Sequence, residues 1–315
     1  MNASAPIVTV FGGTGFLGRS IVAGFAALGC TVRVATRLAQ NAGACRVVRG
    51  VGQIVPFEVN YSDEASLRRA LQGADFAVYS IGLLFERGKN KFETAHISQP
   101  ATIARLCREE NVPRFVHISA MACDKGTSRY ARTKRAGEEA ILSANPSATI
   151  LRPSLIFGPG DGFFNMFGEM MRFFPALPLI GGGHTKFQPV YVEDVAAAAV
   201  RAATNADAAG KIYDLAGPQV FTMKELLERL KYETKRNTFL VSLPFALATV
   251  DAHILNLLPK PPLTPDQVES LKTDNLPDPS HPGLAALGIE ATSVDGILPT
   301  YLNRFIAGGE RNAVA

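Results

Sequence analysis

The stretch Val10–Ser20, VFGGTGFLGRS, follows an apolar β-branched run at residues 7–10 and leads into an amphipathic segment. Its glycines Gly12, Gly15 and Gly18 have the GxxGxxG spacing. A glycine at the turn permits unusual dihedrals, a second lets backbone approach a pyrophosphate, and a third lets a helix lie close on a strand. The helix N-terminus then offers free N–H groups to the anion. Strand, glycine loop and helix in this order predict a dinucleotide site that includes Gly12, Thr14, Gly15, Phe16, Leu17 and Gly18.

The alternation continues outward from that loop. Runs at 31–37, 55–60, 76–82, 114–119 and 148–154 are apolar and β-branched, and segments 16–28, 63–72, 98–110 and 130–144 carry helical periodicity. The pattern predicts an α/β fold, a Rossmann-like doubly wound parallel sheet with a smaller C-terminal α/β lobe. Residues 1–157 are expected to form the dinucleotide-binding domain, joined by returning strands near 188–195 and 211–216. Residues 158–315 then form a substrate or partner lobe. Within it, Thr222 with Glu225 and Thr264 with Gln267 have the capping-box spacing, the second with Pro265 at the first helical position. The small, polar tail past residue 305 is expected to fray.

Composition narrows the partners. The chain has 315 residues, 47% of them hydrophobic, enough to bury a core in one large or two intimate domains. Net charge is +4 with scattered basic residues, which argues against nucleic acid as a partner. Cys30, Cys45, Cys107 and Cys123 form no CxxC pair, and the five histidines lack metal-ligand spacing. Reduced thiols and no metal are the expectation. The N-terminus lacks a leader pattern, and no apolar run reaches membrane-span length. A cytoplasmic protein is expected, peripheral on the inner membrane at most, or a processed one on the matrix side of the mitochondrion. The leucine-rich run 239–263 is interrupted by Pro244, Asp251, His253 and Asn256. It either covers its own lobe or lies against a membrane surface or a partner.

Cofactor choice is read at the end of the second strand, where NAD sites usually carry a carboxylate for the ribose. Here stands Arg37, and Arg19 follows the third glycine. Two guanidiniums suit a 2′-phosphate, so NADP(H) is expected over NAD(H). Asn60, Ile81 and Gly82, near the ends of following strands, are expected as further cofactor contacts.

The chemistry is expected in HISAMACDKGTSRYARTK, residues 117–134. Tyr130 and Lys134 are four apart and share a helix face. An ammonium near a phenol favours the phenolate, so the pair could exchange protons with a carbonyl or alcohol beside nicotinamide.

With that pair, the glycine loop and LRPSLIFGPGD (151–161), the chain resembles the short-chain dehydrogenase/reductase superfamily, in its extended or atypical branch. The resemblance implies that Pro153 and following residues such as Ile156 border the nicotinamide, and that Lys134 binds its ribose. It also implies a catalytic hydroxyl as the second residue of the pair after the fifth strand. That pair is Ser119-Ala120, so the slot holds alanine unless Ser119 substitutes. Such a donor is worth about a hundredfold in rate.

GLLFERGKNKFETAH (82–96), LPLIGGGHTKFQPVYVEDVA (177–196) and LPKPPLTPDQVESLKTDN (258–275) look like the nucleotide-binding accessory subunit of respiratory complex I, alpha-subcomplex subunit 9 type, in its bacterial relatives. That resemblance implies a structural NADPH, complex I subunits as partners, and little or no catalysis. The alternative is an NAD(P)-dependent reductase, epimerase or dehydratase acting on a small carbonyl or sugar-nucleotide substrate. An open pocket over the nicotinamide favours the enzyme; one filled by residues 82–92 or 155–166 favours the scaffold.

Overall fold

The computed structural model describes residues 5–40, 53–259 and 261–306; Cys45 and the tail from residue 307 lie outside them. Strand and helix alternate as β1 (Ile7–Phe11), α1 (Phe16–Ala27), β2 (Thr31–Thr36), β3 (Ile54–Glu58), α2 (Glu64–Leu71), β4 (Phe76–Tyr79), α3 (Gln99–Glu109), β5 (Arg114–Ile118), α4 (Arg129–Ala144) and β6 (Thr149–Pro153). Then follow β7 (Ile156–Phe157), α5 (Phe164–Phe173), β8 (Ala176–Ile180), β9 (Lys186–Phe187), β10 (Val190–Tyr191), α6 (Val192–Thr204) and β11 (Ile212–Leu215). The chain closes with β12 (Phe221–Thr222), α7 (Met223–Thr234), β13 (Phe239–Leu243), α8 (Phe245–Leu255), α9 (Pro265–Ser270) and α10 (Val294–Leu302).

Seven strands form one parallel sheet in the order β3-β2-β1-β4-β5-β6-β11. Val8, Val10, Ile21, Phe25, Val195 and Ala199 close one face, under α1 and α6. Phe11, Leu67, Tyr79, Ile103, Phe115 and Ile141 close the other, under α2, α3 and α4. Covered on both sides, the central strands can be apolar throughout. From β1 the chain builds first to one side and then, from β4, to the other. A doubly wound sheet opens its ligand crevice at that switch point, above the C-terminal ends of β1 and β4.

The strand expected at 211–216 is β11, at the sheet edge beside β6. The one expected near 188–195 is present but short, and its place in the main sheet is corrected. Only Val190 and Tyr191 are extended, and they pair with β7 outside the main sheet. Helix α6 starts at Val192, where Glu193 and Asp194 put negative charge in its first turn and an alanine run follows.

The remaining elements gather around Phe157, Phe164, Leu226, Leu227, Leu298 and Leu302. Both capping boxes are formed, at Thr222 and at Thr264. Within the leucine-rich run, α8 buries Ala248 and Ala252 beside Ile180 and Val268, and leaves Leu247, Val250 and Ile254 exposed. No described helix is long and apolar enough to cross a membrane.

Candidate functional site

The glycine loop has the backbone that a pyrophosphate cradle requires. Gly12 has φ 88°, and a Cβ there would lie 2.9 Å from Ser80 Oγ. At Gly18 a Cβ would lie 2.0 Å from the Gly12 carbonyl oxygen, so only glycine lets α1 lie this close on the loop. Gly15, which lines the cavity described next, is the N-cap of α1 and caps it with no side chain, so no cap hydrogen bond takes up the first-turn N–H groups.

A cavity of about 950 Å³ opens there, lined by Gly12, Thr14, Gly15, Arg37, Asn60, Ile81 and Gly82 among others. The residues present fit a dinucleotide: a glycine cradle at the switch point, a helix N-terminus, and cations at the far end. Among the described residues, four cationic side chains border the cavity, Arg37, Arg69, Lys89 and Lys91. Arg37 and Arg69 form no ion pair among the described residues. The sequence reading missed Arg69, whose approach depends on where α2 lies. It also missed Glu58, which lines the cavity because the β2–β3 register sets it beside Thr36, at the end of β2. Thus a carboxylate does stand near the strand end that Arg37 follows.

Other residues expected at the cofactor lie behind or beside the cavity. Leu17 is buried in the core, Phe16 and Ile156 lean on it, and Arg19 is exposed on the first turn of α1. Pro153 ends β6, and its carbonyl accepts from the Met121 N–H. Ser119 follows β5 with its Oγ buried and without a hydrogen-bond partner among the described residues. It lines neither this cavity nor the apolar one described below.

Tyr130 and Lys134 project from the first turns of α4, whose N-cap Ser128 accepts from the Ala131 N–H. Lys134 is 2% exposed and donates from Nζ to the Ile118 carbonyl at 3.2 Å. A Cβ at Gly82 would be 3.8 Å from that Nζ, so the ammonium lies against the cavity edge. Burial pushes the Lys134 ammonium down to about 8. Burial also raises the Tyr130 phenol well above its ordinary value, with a smaller push from Cys123. The expectation that Lys134 lowers the phenol is reversed in this state, because burial disfavours both charged forms.

Residues the sequence reading did not single out hold this helix. His96 lies in a one-and-a-half-turn π-helix, Glu93–Ser98, against α4. Its Nε2 accepts from the Leu83 N–H at 3.2 Å and its Nδ1 meets Thr133 Oγ1 at 3.0 Å. Thr133 Oγ1 in turn donates to the Tyr130 carbonyl. Burial takes His96 down to about 3, so it is neutral at physiological pH. The Asp266 carboxylate of α9 accepts from the N–H groups of Arg129 and Tyr130 at 2.6 and 3.0 Å. The Arg129 side chain pairs with Glu86 at 2.7 Å. Deeper in, buried Arg152 is gripped by buried Glu138 and by half-buried Asp124.

On the other side of Tyr130 lies a second cavity, about 380 Å³, walled by Leu84, Met121, Leu155, Phe163 and Met166 among others. Residues of the 82–92 and 155–166 segments therefore form its walls and leave it open. Gly82 and Leu83 border the larger cavity and Leu84 the smaller, so one loop separates them. No group of three or more potential metal ligands occurs among the described residues.

A glycine cradle at the switch point of a parallel sheet, with Tyr130 and Lys134 beside it, defines a nicotinamide-dinucleotide-binding protein. The chain belongs to the NAD dependent epimerase/dehydratase family, a model of which matches residues 8–216. It is homologous to the NADH dehydrogenase (ubiquinone) 1 alpha subcomplex subunit 9 of Arabidopsis thaliana, a mitochondrial protein: 34% identical over 98% of this chain and 80% of that one. It is also 32% identical to a ceramide reductase of Caulobacter vibrioides, over 61% of this chain and 59% of that one. Among solved structures, an NADPH-dependent quinone oxidoreductase of Escherichia coli shares the fold with a TM-score of 0.73. That match is at 20% identity and covers 94% of this chain and 98% of the other.

Proposed function

We propose that this protein holds NADP(H) in the larger cavity and serves as an accessory, respiratory-chain-type subunit with little or no turnover. The observation that carries it is the alanine at position 120, with Ser119 Oγ buried and facing neither cavity. Without a hydroxyl to polarise a substrate oxygen, the Tyr130–Lys134 pair is half of a hydride-transfer site. The subunit homology supports the same reading, including contact with complex I subunits and a position on the membrane's matrix or cytoplasmic side. Arg37 and Arg69 support the 2′-phosphate, against Glu58, which favours a free ribose.

Binding of reduced nucleotides, followed by their fluorescence, tests the cofactor assignment. NADPH is expected to bind more tightly than NADH. Arg37→Ala should cost NADPH roughly tenfold or more in affinity, the worth of one charge-assisted hydrogen bond, and leave NADH nearly unchanged. Equal losses for both would remove the 2′-phosphate role. Turnover of NADPH with a carbonyl or quinone acceptor at roughly 1 s⁻¹ or above would sink the accessory reading.

A second reading, an NAD(P)-dependent reductase, is favoured by one observation, the cavity that stays open beside Tyr130. The similarity to a protein named as a ceramide reductase supports it. In that reading Tyr130 is the proton donor, and Tyr130→Phe abolishes activity while NADPH still binds.

A further inference from the structure

We infer that the cavity beside Tyr130 is a binding site for one uncharged, long-chain alcohol or carbonyl compound, with the oxygen at Tyr130 and the chain along a methionine wall. The inference deepens the reductase reading by naming its substrate class, and it concerns binding alone.

The wall chemistry selects the ligand. Four of the chain's six methionines, Met121, Met166, Met170 and Met223, line the cavity. Unbranched thioethers adapt to flexible apolar chains. Among the described residues no Lys, Arg or His lines it, and the one carboxylate among them, Asp266, is already committed to the N–H groups of α4. Ser128 and Asn275, two further polar groups of the wall, are likewise bonded within the protein. A nucleoside diphosphate would bring two or more negative charges against a wall with no cation among its described residues, which is costly. The described lining therefore favours an uncharged ligand over a sugar nucleotide. The Tyr130 hydroxyl, by contrast, makes no hydrogen bond among the described residues and is free to meet one ligand oxygen. At about 380 Å³ the space suits a small molecule. Its rim continues outward through Leu255 to the exposed Ile254, Leu257 and Leu258, a slope along which a chain can extend.

Titration of the full-length protein with a pyrene-labelled long-chain alcohol tests this, with UDP-glucose as the contrasting probe. The alcohol should bind saturably and UDP-glucose should not. Leu255→Arg, on the half-exposed rim, and Met170→Gln, inside, should each weaken the alcohol about tenfold or more and leave NADPH affinity unchanged. Presenting the alcohol in buffer and in phosphatidylcholine vesicles separates the two sources. Uptake in either arm supports the site, and uptake in neither overturns it. Binding of UDP-glucose, or alcohol binding untouched by both substitutions, also overturns it. Alcohol binding without NADPH oxidation would sink the reductase reading and leave this site standing; turnover of another carbonyl without alcohol binding would do the reverse.

Discussion

Lys134 carries an amine in a place almost closed to water. Among the described residues its ammonium has one carbonyl for a partner, and it lies against the nucleotide cavity; burial takes it to about 8 from an ordinary 10.5. The native state therefore holds fewer protons than the unfolded chain between those values, and stability must rise with pH across that window. From pH 8 to 10, the urea-unfolding free energy of the wild type is expected to gain on the order of 2 kcal/mol relative to Lys134→Met. A flat difference between the two proteins would mean that the lysine finds a partner or solvent. Other buried groups raise no such signal in the difference, because both proteins carry them.

At the scale of elements, α4 is the part on which the site depends, and its N-terminus is held from outside the sheet. Asp266 sits in α9, more than a hundred residues along the chain, yet its carboxylate closes two N–H groups that the helix cannot satisfy itself. A negative charge there also matches the positive end of the helix. Asp266→Ala is expected to destabilise the protein by about 1–2 kcal/mol, read as a lower urea midpoint, while Asp266→Asn recovers part of the loss. An unchanged midpoint would show that water or Ser128 suffices. This contact also marks what local sequence can and cannot tell. The glycine loop, the strands and α4 are legible because their signals lie within a dozen residues. Asp266, Glu86 and His96 are not, because only the folded chain brings them to Tyr130. Glu58 escaped for the same reason, since a parallel register rather than proximity in sequence sets it beside Thr36. At 188–195 the strand is only two residues long, because the acidic first turn of α6 begins the helix at Val192.

For the whole molecule, the cavity spans the switch point of the sheet and borders β1, β2, β3 and β4 through their ends, so a ligand there binds only the native arrangement. At a hundred times its dissociation constant such a ligand adds about 2.7 kcal/mol. For a chain of this length that is a rise of about 4 °C in the melting temperature. NADPH should produce that rise at lower concentration than NADH. The Arg152–Glu138–Asp124 cluster and the apolar cores beneath the sheet are common to both states of ligation and should leave the cooperativity of unfolding unchanged.

The loop at 82–84 faces the larger cavity with Gly82 and Leu83 and the smaller one with Leu84, and its Leu83 N–H is tied to His96. A partition shared by two sites makes them accountable to each other. Whatever factor a bound nucleotide introduces into the affinity of the apolar site, an occupant of that site must return to the nucleotide unchanged. The order in which the two cavities fill is then free, while the free energy between empty and doubly occupied protein is fixed.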